Sequence, residues 1–198
     1  MKCKTHLVSS CAVNLFLLHP NTVPLFITTT LGASIGGVIS DVDSRKAEST
    51  QILNKVNTIT MISVLALVII SHFKLFDINK YIDINYINYL ITFLLMLLIC
   101  NIGSKTKHRS FTHSIIFIIL TFFILNFSLP LTFIIPFMIG LSTHIVLDLL
   151  NHIGIALFFP SKFRFCFDLF DSDGLTNNIL FYSSIFIICF ITIFIFYM

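Results

Sequence analysis

The sequence predicts an all-α integral membrane protein, with about seven membrane-associated helices in one bundle. Three observations carry that expectation. Hydrophobic residues make up 57% of the chain and charged residues only 11%, where a soluble domain would carry about 25% charged. The mean hydropathy is +0.98. Apolar runs recur along all 198 residues, and no linker is long enough to separate a second domain, so residues 1–198 are expected to form a single multi-span unit.

Seven apolar segments can be placed in order, near 6–19, 23–40, 56–72, 86–103, 112–129, 131–150 and 178–198. The first lies within the N-terminal "MKCKTHLVSSCAVNLFLL", in which Lys2 and Lys4 precede an apolar stretch as in a signal peptide. No small-residue cleavage site follows and His6 interrupts the run, so a retained first helix is expected. It is shorter than the ~20 residues that cross a bilayer, which implies tilting, membrane thinning or a partial crossing. Pro20 and Pro24 mark the turn into the second segment. That segment contains "GASIG", which puts Gly32 and Gly36 on one helical face and predicts close helix packing. The third and fourth segments are bounded by polar stretches, and Pro130 in "SLPLT" separates the fifth from the sixth.

Orientation follows from lysine and arginine near the segment ends. Lys2, Lys4, Arg45, Lys46, Lys55, Lys105, Lys107, Arg109, Lys162 and Arg164 fall in alternate connections, and the others hold only Lys74 and Lys80. This predicts a cytoplasmic N-terminus. Tyr81, Tyr86, Tyr89, Tyr182 and Tyr197 fall near segment ends, as interface anchors do. The net charge of +3 is scattered rather than gathered into a basic face, which argues against a nucleic-acid partner. Cys3, Cys11, Cys100, Cys166 and Cys189 are odd in number and dispersed, so they suggest apolar fillers rather than disulfides or a zinc knuckle.

The ionisable residues converge on one membrane face. His6 begins the first segment; Asp41 and Asp43, in "ISDVDS", end the second; His108, Arg109 and His113, in "KHRSFTHS", begin the fifth. In "LSTHIVLDLLNH" a helix would place His144, Asp148 and His152 at i, i+4 and i+8 on one stripe ending the sixth. Only His19 and His72 fall on the opposite face. Each piece has an ordinary reading alone: His113 as a boundary residue, the aspartates as a solvated loop, His144 and Asp148 as a neutral hydrogen-bonded pair. Their common sidedness favours a shared site, because ionisable groups at membrane depth are costly unless paired or bound to a cation. Histidine with aspartate and no cysteine suits zinc, manganese or iron. Asp41 and Asp43 would diverge by about 200° on a regular helix, so meeting at one site requires the helix to break at about Ser40. His108 and His152 suit supporting or interfacial positions. Arg109, near a helix N-terminus, suits a substrate anion such as a phosphate group, with a membrane anchor as its other reading.

At these residues the chain resembles the YdjM-type family of LexA-regulated inner-membrane proteins, which are described as metal-dependent hydrolases. That family shows an early T-H, a P-D-I-D-H segment, H-R-G-x-T-H-S, and S-H-x-x-x-D running to F-P or Y-P. The corresponding stretches here are "KTH", "SDVDS", "HRSFTHS" and "STHIVLDLLNHIGIALFFP", in the same order along nearly the whole chain. The resemblance implies a hydrolase-like domain over 1–198 in a bacterial inner membrane. It implies a divalent metal, zinc foremost, with ligands like His6, Asp41, Asp43, His113, His144 and Asp148. By distant similarity to zinc-dependent phospholipase C it brings phosphate-bearing or ester lipids within reach as substrates. Ser40 and Ser44 replace the family's flanking proline and histidine, and Ser110 its glycine. Relatives often carry a later glutamate where this chain reads "FDLFDSDGLTNN", so Asp171 or Asp173 would have to serve.

The leading expectation is thus metal-dependent hydrolysis at the cytoplasmic interface, with Asp41, Asp43 or Asp148 as base and Arg109 holding the anion. An ion-coupled transporter or metal channel would favour a midplane site and internal repeats, neither of which the sequence displays. A metal-stabilised membrane protein without turnover is the third possibility.

Overall fold

The computed structural model describes residues 3–44, 48–72, 84–169 and 174–197. Lys2, Arg45, Lys46, Lys74, Lys80, Tyr81, Asp171 and Asp173, all invoked above, lie outside the described residues. Among the described residues seven α-helices run in chain order: α1 (Cys3–Leu18), α2 (Val23–Ile39), α3 (Glu48–His72), α4 (Ile84–Ser104), α5 (Ile115–Asn126), α6 (Leu131–Leu149) and α7 (Leu175–Tyr197). Among the described residues there is no strand, only one isolated antiparallel bridge between Ile155 and Phe165.

Among the described residues four stretches are long and apolar enough to cross a membrane: Val23–Asp43, Tyr86–Ser104, Leu131–Leu149 and Leu175–Ile195. Two of the expected seven crossings are shorter apolar helices. α1 has 16 residues and α5 only 12, against the ~20 of a full span. α5 starts late because residues Phe111–His113 form a 3₁₀ turn, after which Ser114 caps the helix by accepting the Phe117 N–H at 3.2 Å.

α1 buries an unusual number of polar side chains. Its buried face holds Thr5, His6, Ser9, Ser10 and Asn14 beside Cys11, Ala12 and Leu15, while Leu7, Phe16 and Leu17 point outward. In water that arrangement would be perverse; in lipid, small polar residues between helices allow close approach and interhelical hydrogen bonds. Thr5 donates to Asn177 at 2.9 Å and Ser9 bonds Ser184 at 3.0 Å, which ties α1 to α7; Ser10 donates to the Gly140 carbonyl of α6 at 3.2 Å.

α2 and α6 form the tightest pair, as "GASIG" predicts. A Cβ at Gly32 would lie 2.9 Å from the Phe133 carbonyl oxygen, and one at Gly36 would overlap the Phe137 carbonyl. Beside this contact, Phe117, Ile134, Phe137, Leu141 and Ile155 form the apolar core. α3 and α4 are joined by reciprocal amide bonds between Asn57 and Asn101, at 2.7 and 2.9 Å.

Two helix ends set the geometry of the polar cluster. α2 gives way at Ser40 to a 3₁₀ turn over Ser40–Asp43, where the break was expected. Thr50 stitches that turn to α3 by donating to Val42 and Ser44 carbonyls. α6 stops at Leu149, so the expected stripe ends at Asp148 and does not extend to His152. Its Leu149 and Leu150 carbonyls are taken by the distant N–H groups of Phe167 and Leu169, at 2.7 and 3.0 Å. The chain leaves the helix axis there, and His152 pairs with Asp168 at the surface instead.

Candidate metal centre

α1 enters the cluster by its N-terminal end, α2 by its C-terminal turn, α6 by its C-terminal end, and the connection before α5 supplies the rest. His6, His113, His144 and Asp148 are all 0–1% exposed. Asp41 has the most exposed side chain of the set, at 12%.

The two central histidines have assignable tautomers. His144 Nδ1 lies 2.7 Å from the Gly37 carbonyl oxygen. A carbonyl only accepts, so Nδ1 carries the proton and Nε2 a lone pair. Gly37 is free to accept because it lies in the last turn of α2, where carbonyls lack intrahelical partners. His113 Nδ1 lies 3.0 Å from Thr112 Oγ1 and 3.5 Å from Asp43 Oδ2. Thr112 donates its own proton to Asp43 at 2.7 Å, so both acceptors favour a proton on Nδ1 and leave His113 Nε2 facing inward. The two Nε2 atoms are 3.3 Å apart. Two lone pairs at that distance repel unless a proton or a cation lies between them. Ligands held 2.0–2.1 Å from a tetrahedral ion stand about 3.3 Å apart, so the spacing fits.

Carboxylates complete the set. Asp148 Oδ2 is 3.2 Å from His113 Nε2 and 3.9 Å from His144 Nε2, and Asp41 Oδ1 is 3.7 Å from His144 Nε2. His6 stacks on His144 with ring centres 3.9 Å apart, and its Nε2 is 3.5 Å from Asp148 Oδ1. In each of two overlapping groups, His6 with His144 and Asp148, and Asp41 with His113 and His144, the potential ligand atoms lie within 4.8 Å of one another. Burial opposes the charged form of His113, but Asp148 and Asp43 on its two sides outweigh it and push its pKa up to about 9. The same negative surroundings would draw a cation, which must displace that proton to bind.

Two residues take places other than those expected. Asp43 stands apart from the ligand atoms: Oδ2 accepts the Arg109 N–H at 2.8 Å and the Thr112 hydroxyl, while Oδ1 meets His108 Nδ1 at 2.7 Å. It holds His113 by the ring's outer nitrogen. Arg109 is buried, donating to Asp148 Oδ1 at 3.1 Å and to the Ile153 carbonyl at 2.6 Å. Its φ of +60°, uncommon for a side chain-bearing residue, lets one residue touch both aspartates. An arginine so engaged is a poor receptor for an outside anion. His19, at the far end of α1, and His72, the last residue of α3, lie away from these ends.

Sequence reading assigned no role to Thr112 or to the carbonyls of Gly37 and Ile153. Thr112 had a signal, since it precedes His113 inside "HRSFTHS". A carbonyl acceptor has none, because every residue carries one.

The model of a family described as "YdjM inner membrane protein" matches residues 1–198. "Uncharacterized protein YvsG" of Bacillus subtilis (strain 168) is 38% identical over 74 residues, 37% of this chain and 46% of that protein. The match thus spans under half the length of that relative. No solved structure matches the chain.

Proposed function

The chain belongs to the YdjM inner membrane protein family, and from that premise we propose that it is a membrane-embedded metal-dependent hydrolase. In this reading its His/Asp centre lies at the cytoplasmic ends of the helices, the N-terminus is cytoplasmic, and α1, α3 and α5 join the four long helices in the membrane. The observation that carries the reading is the 3.3 Å approach of His113 Nε2 to His144 Nε2, each ring fixed from behind by an acceptor on Nδ1.

His113, His144 and Asp148 would hold the ion, with Asp41 or His6 completing its shell; nitrogen and oxygen donors without sulfur suit zinc, with manganese or iron as alternatives. An ion held there would polarise an ester or phosphoryl oxygen and lower the pKa of a water toward ~7. The protein's own residues divide the remaining work. Asp43 and the Gly37 carbonyl orient the two imidazoles, a support typical of histidine ligands. Arg109 neutralises the outer oxygen of Asp148 and pins it against the Ile153 connection. Asp41 is left as the base: Asp43 and Asp148 have both oxygens engaged, while the Asp41 side chain retains contact with solvent. Its carboxylate would take the proton of the attacking water. Substrates of the matching class are phosphate-bearing or ester lipids delivered by the bilayer itself.

The burial of the four inner residues favours a second reading, a closed structural metal site without turnover. Metal analysis of the purified chain, paired with a screen of phospholipid and ester hydrolysis, separates the two. Bound zinc with no hydrolysis, in a protein whose Asp41→Asn variant behaves identically, would refute the enzyme reading. Absence of any transition metal from protein purified without chelator would refute both.

A further inference from the structure

The α4–α5 connection holds a feature the metal centre does not use. A cleft of about 570 Å³ opens there, lined by Lys105, Lys107, His108 and Asp43 together with hydroxyl side chains such as Ser44 and Thr106. That volume is in the range of small-molecule sites, ~300–1,000 Å³. Its charge is unbalanced. Among the described residues Asp43 is its one acidic wall, and both oxygens of Asp43 are engaged by His108, Arg109 and Thr112. Among the described residues neither Lys105 nor Lys107 has a carboxylate within ion-pair distance. The His108 ring is 47% exposed and uses only Nδ1 on Asp43, which leaves Nε2 for a ligand.

Position gives the ligand its class. The cleft begins at Ser104, the last residue of the Tyr86–Ser104 span, so it lies at the depth of the lipid headgroups. Lysines that serve only to set topology need the right side of the membrane; they need not line one concavity with a histidine. The cleft also adjoins the metal centre, because Asp43 forms its wall and holds His113 on the other side.

We propose that this cleft binds a phosphate ester anion, held by Lys105, Lys107 and His108. It takes over the role expected of Arg109, whose guanidinium is committed to Asp148. As a substrate subsite it rests on the hydrolase reading above; as an anion site it does not.

The test uses the full chain in phosphatidylcholine nanodiscs. One arm titrates glycerol 3-phosphate by calorimetry, and the other measures phosphatidic acid retained in native mass spectrometry. Saturable binding in either arm, weakened on the order of tenfold by Lys105→Gln and again by Lys107→Gln, is the expected result. Recovery in Lys105→Arg and no change in Lys162→Gln, an exposed lysine outside the cleft, should accompany it, with metal content constant throughout. Binding of phosphatidic acid alone assigns the anion to a lipid; binding of glycerol 3-phosphate assigns it to a soluble ester. No binding in either arm, or binding indifferent to both lysines, overturns the proposal. Lysine-dependent binding without hydrolysis removes the enzyme reading alone, and hydrolysis with an unmoved KM in both lysine variants removes the cleft alone.

Discussion

Replacing Asp43 by Asn distinguishes a residue that orients a ligand from one that is a ligand. The carboxylate accepts from Arg109 N–H and Thr112 on one oxygen and meets His108 on the other. An amide has one oxygen, and its least disruptive orientation keeps that oxygen on Arg109 and Thr112 and turns its NH2 toward His108, which can accept after a tautomer change. The shape survives, but the bonds lose their charge. Hydrogen bonds to charged groups are worth about 1.5–3 kcal/mol and neutral ones about 0.5–1.5, so weakening two bonds by roughly 1 kcal/mol each predicts a stability loss of about 2 kcal/mol. His113 also loses the negative partner behind Nδ1, and changes of this kind reduce metal affinity ~10–100-fold, equivalent to about 1.4–2.7 kcal/mol. Competition between the purified variant and a zinc chelator measures the affinity, and thermal unfolding in the same detergent measures the stability. Complete loss of zinc with the unfolding transition intact would make Asp43 a ligand and refute the geometry. Wild-type affinity would equally refute the idea that it positions His113.

Three further outcomes follow from the structure. His144→Ala and Asp148→Asn should abolish or nearly abolish metal binding in equilibrium dialysis, while His19→Ala and His152→Ala leave it at wild-type level; equal losses in all four would indicate misfolding instead. Gly36→Ala forces a methyl into the Phe137 carbonyl and should destabilise the α2–α6 pair by about 1–3 kcal/mol, read as a lowered Tm; an unchanged Tm would mean that the helices separate freely. Cysteines placed at Ser44 and Lys107 should label from one side of the membrane and a cysteine at Pro20 from the other, since the first two flank the cluster and the third caps the opposite end of α1; labelling of Ser44 and Lys107 from opposite sides would separate the elements that build the centre.

The sequence was most legible where a feature depends on neighbours along the chain. Hydropathy marked the helices, "GASIG" marked the face of α2 that meets α6, and the break expected at Ser40 is found there, although of the two aspartates only Asp41 turns toward the ligand atoms. It was least legible where the deciding contact comes from far away. α6 ends at Leu149 because Phe167 and Leu169 take its last carbonyls, and no periodicity within "LSTHIVLDLLNH" encodes that, so His152 was aligned with a stripe it does not join. Arg109 shows the same dependence on distant contacts. Its position before a helix suggested an anion receptor, but the left-handed backbone at that residue turns the guanidinium inward to Asp148. The division of labour between Asp41 and Asp43 also depends on the third dimension, where Asp43 lies behind His113 at Nδ1 and Asp41 approaches His144 at Nε2.

The hydroxyl contacts of α1 have a consequence for biogenesis. During synthesis α1 emerges before α7, yet Thr5 and Ser9 find their partners on Asn177 and Ser184. Until then those two hydroxyls lack the partners they have in the finished bundle, and α1 is held by α2 and α6 alone, through Cys11 with Ser34 and Ser10 with the Gly140 carbonyl. His144 and Asp148 are themselves on the sixth helix, so no partial chain short of α6 can assemble the cluster. Domains generally form as their segments leave the ribosome; here the first segment waits for the last. The His/Asp cluster can therefore be complete only once α6 has been made, and the hydroxyl ties of α1 to α7 come after it.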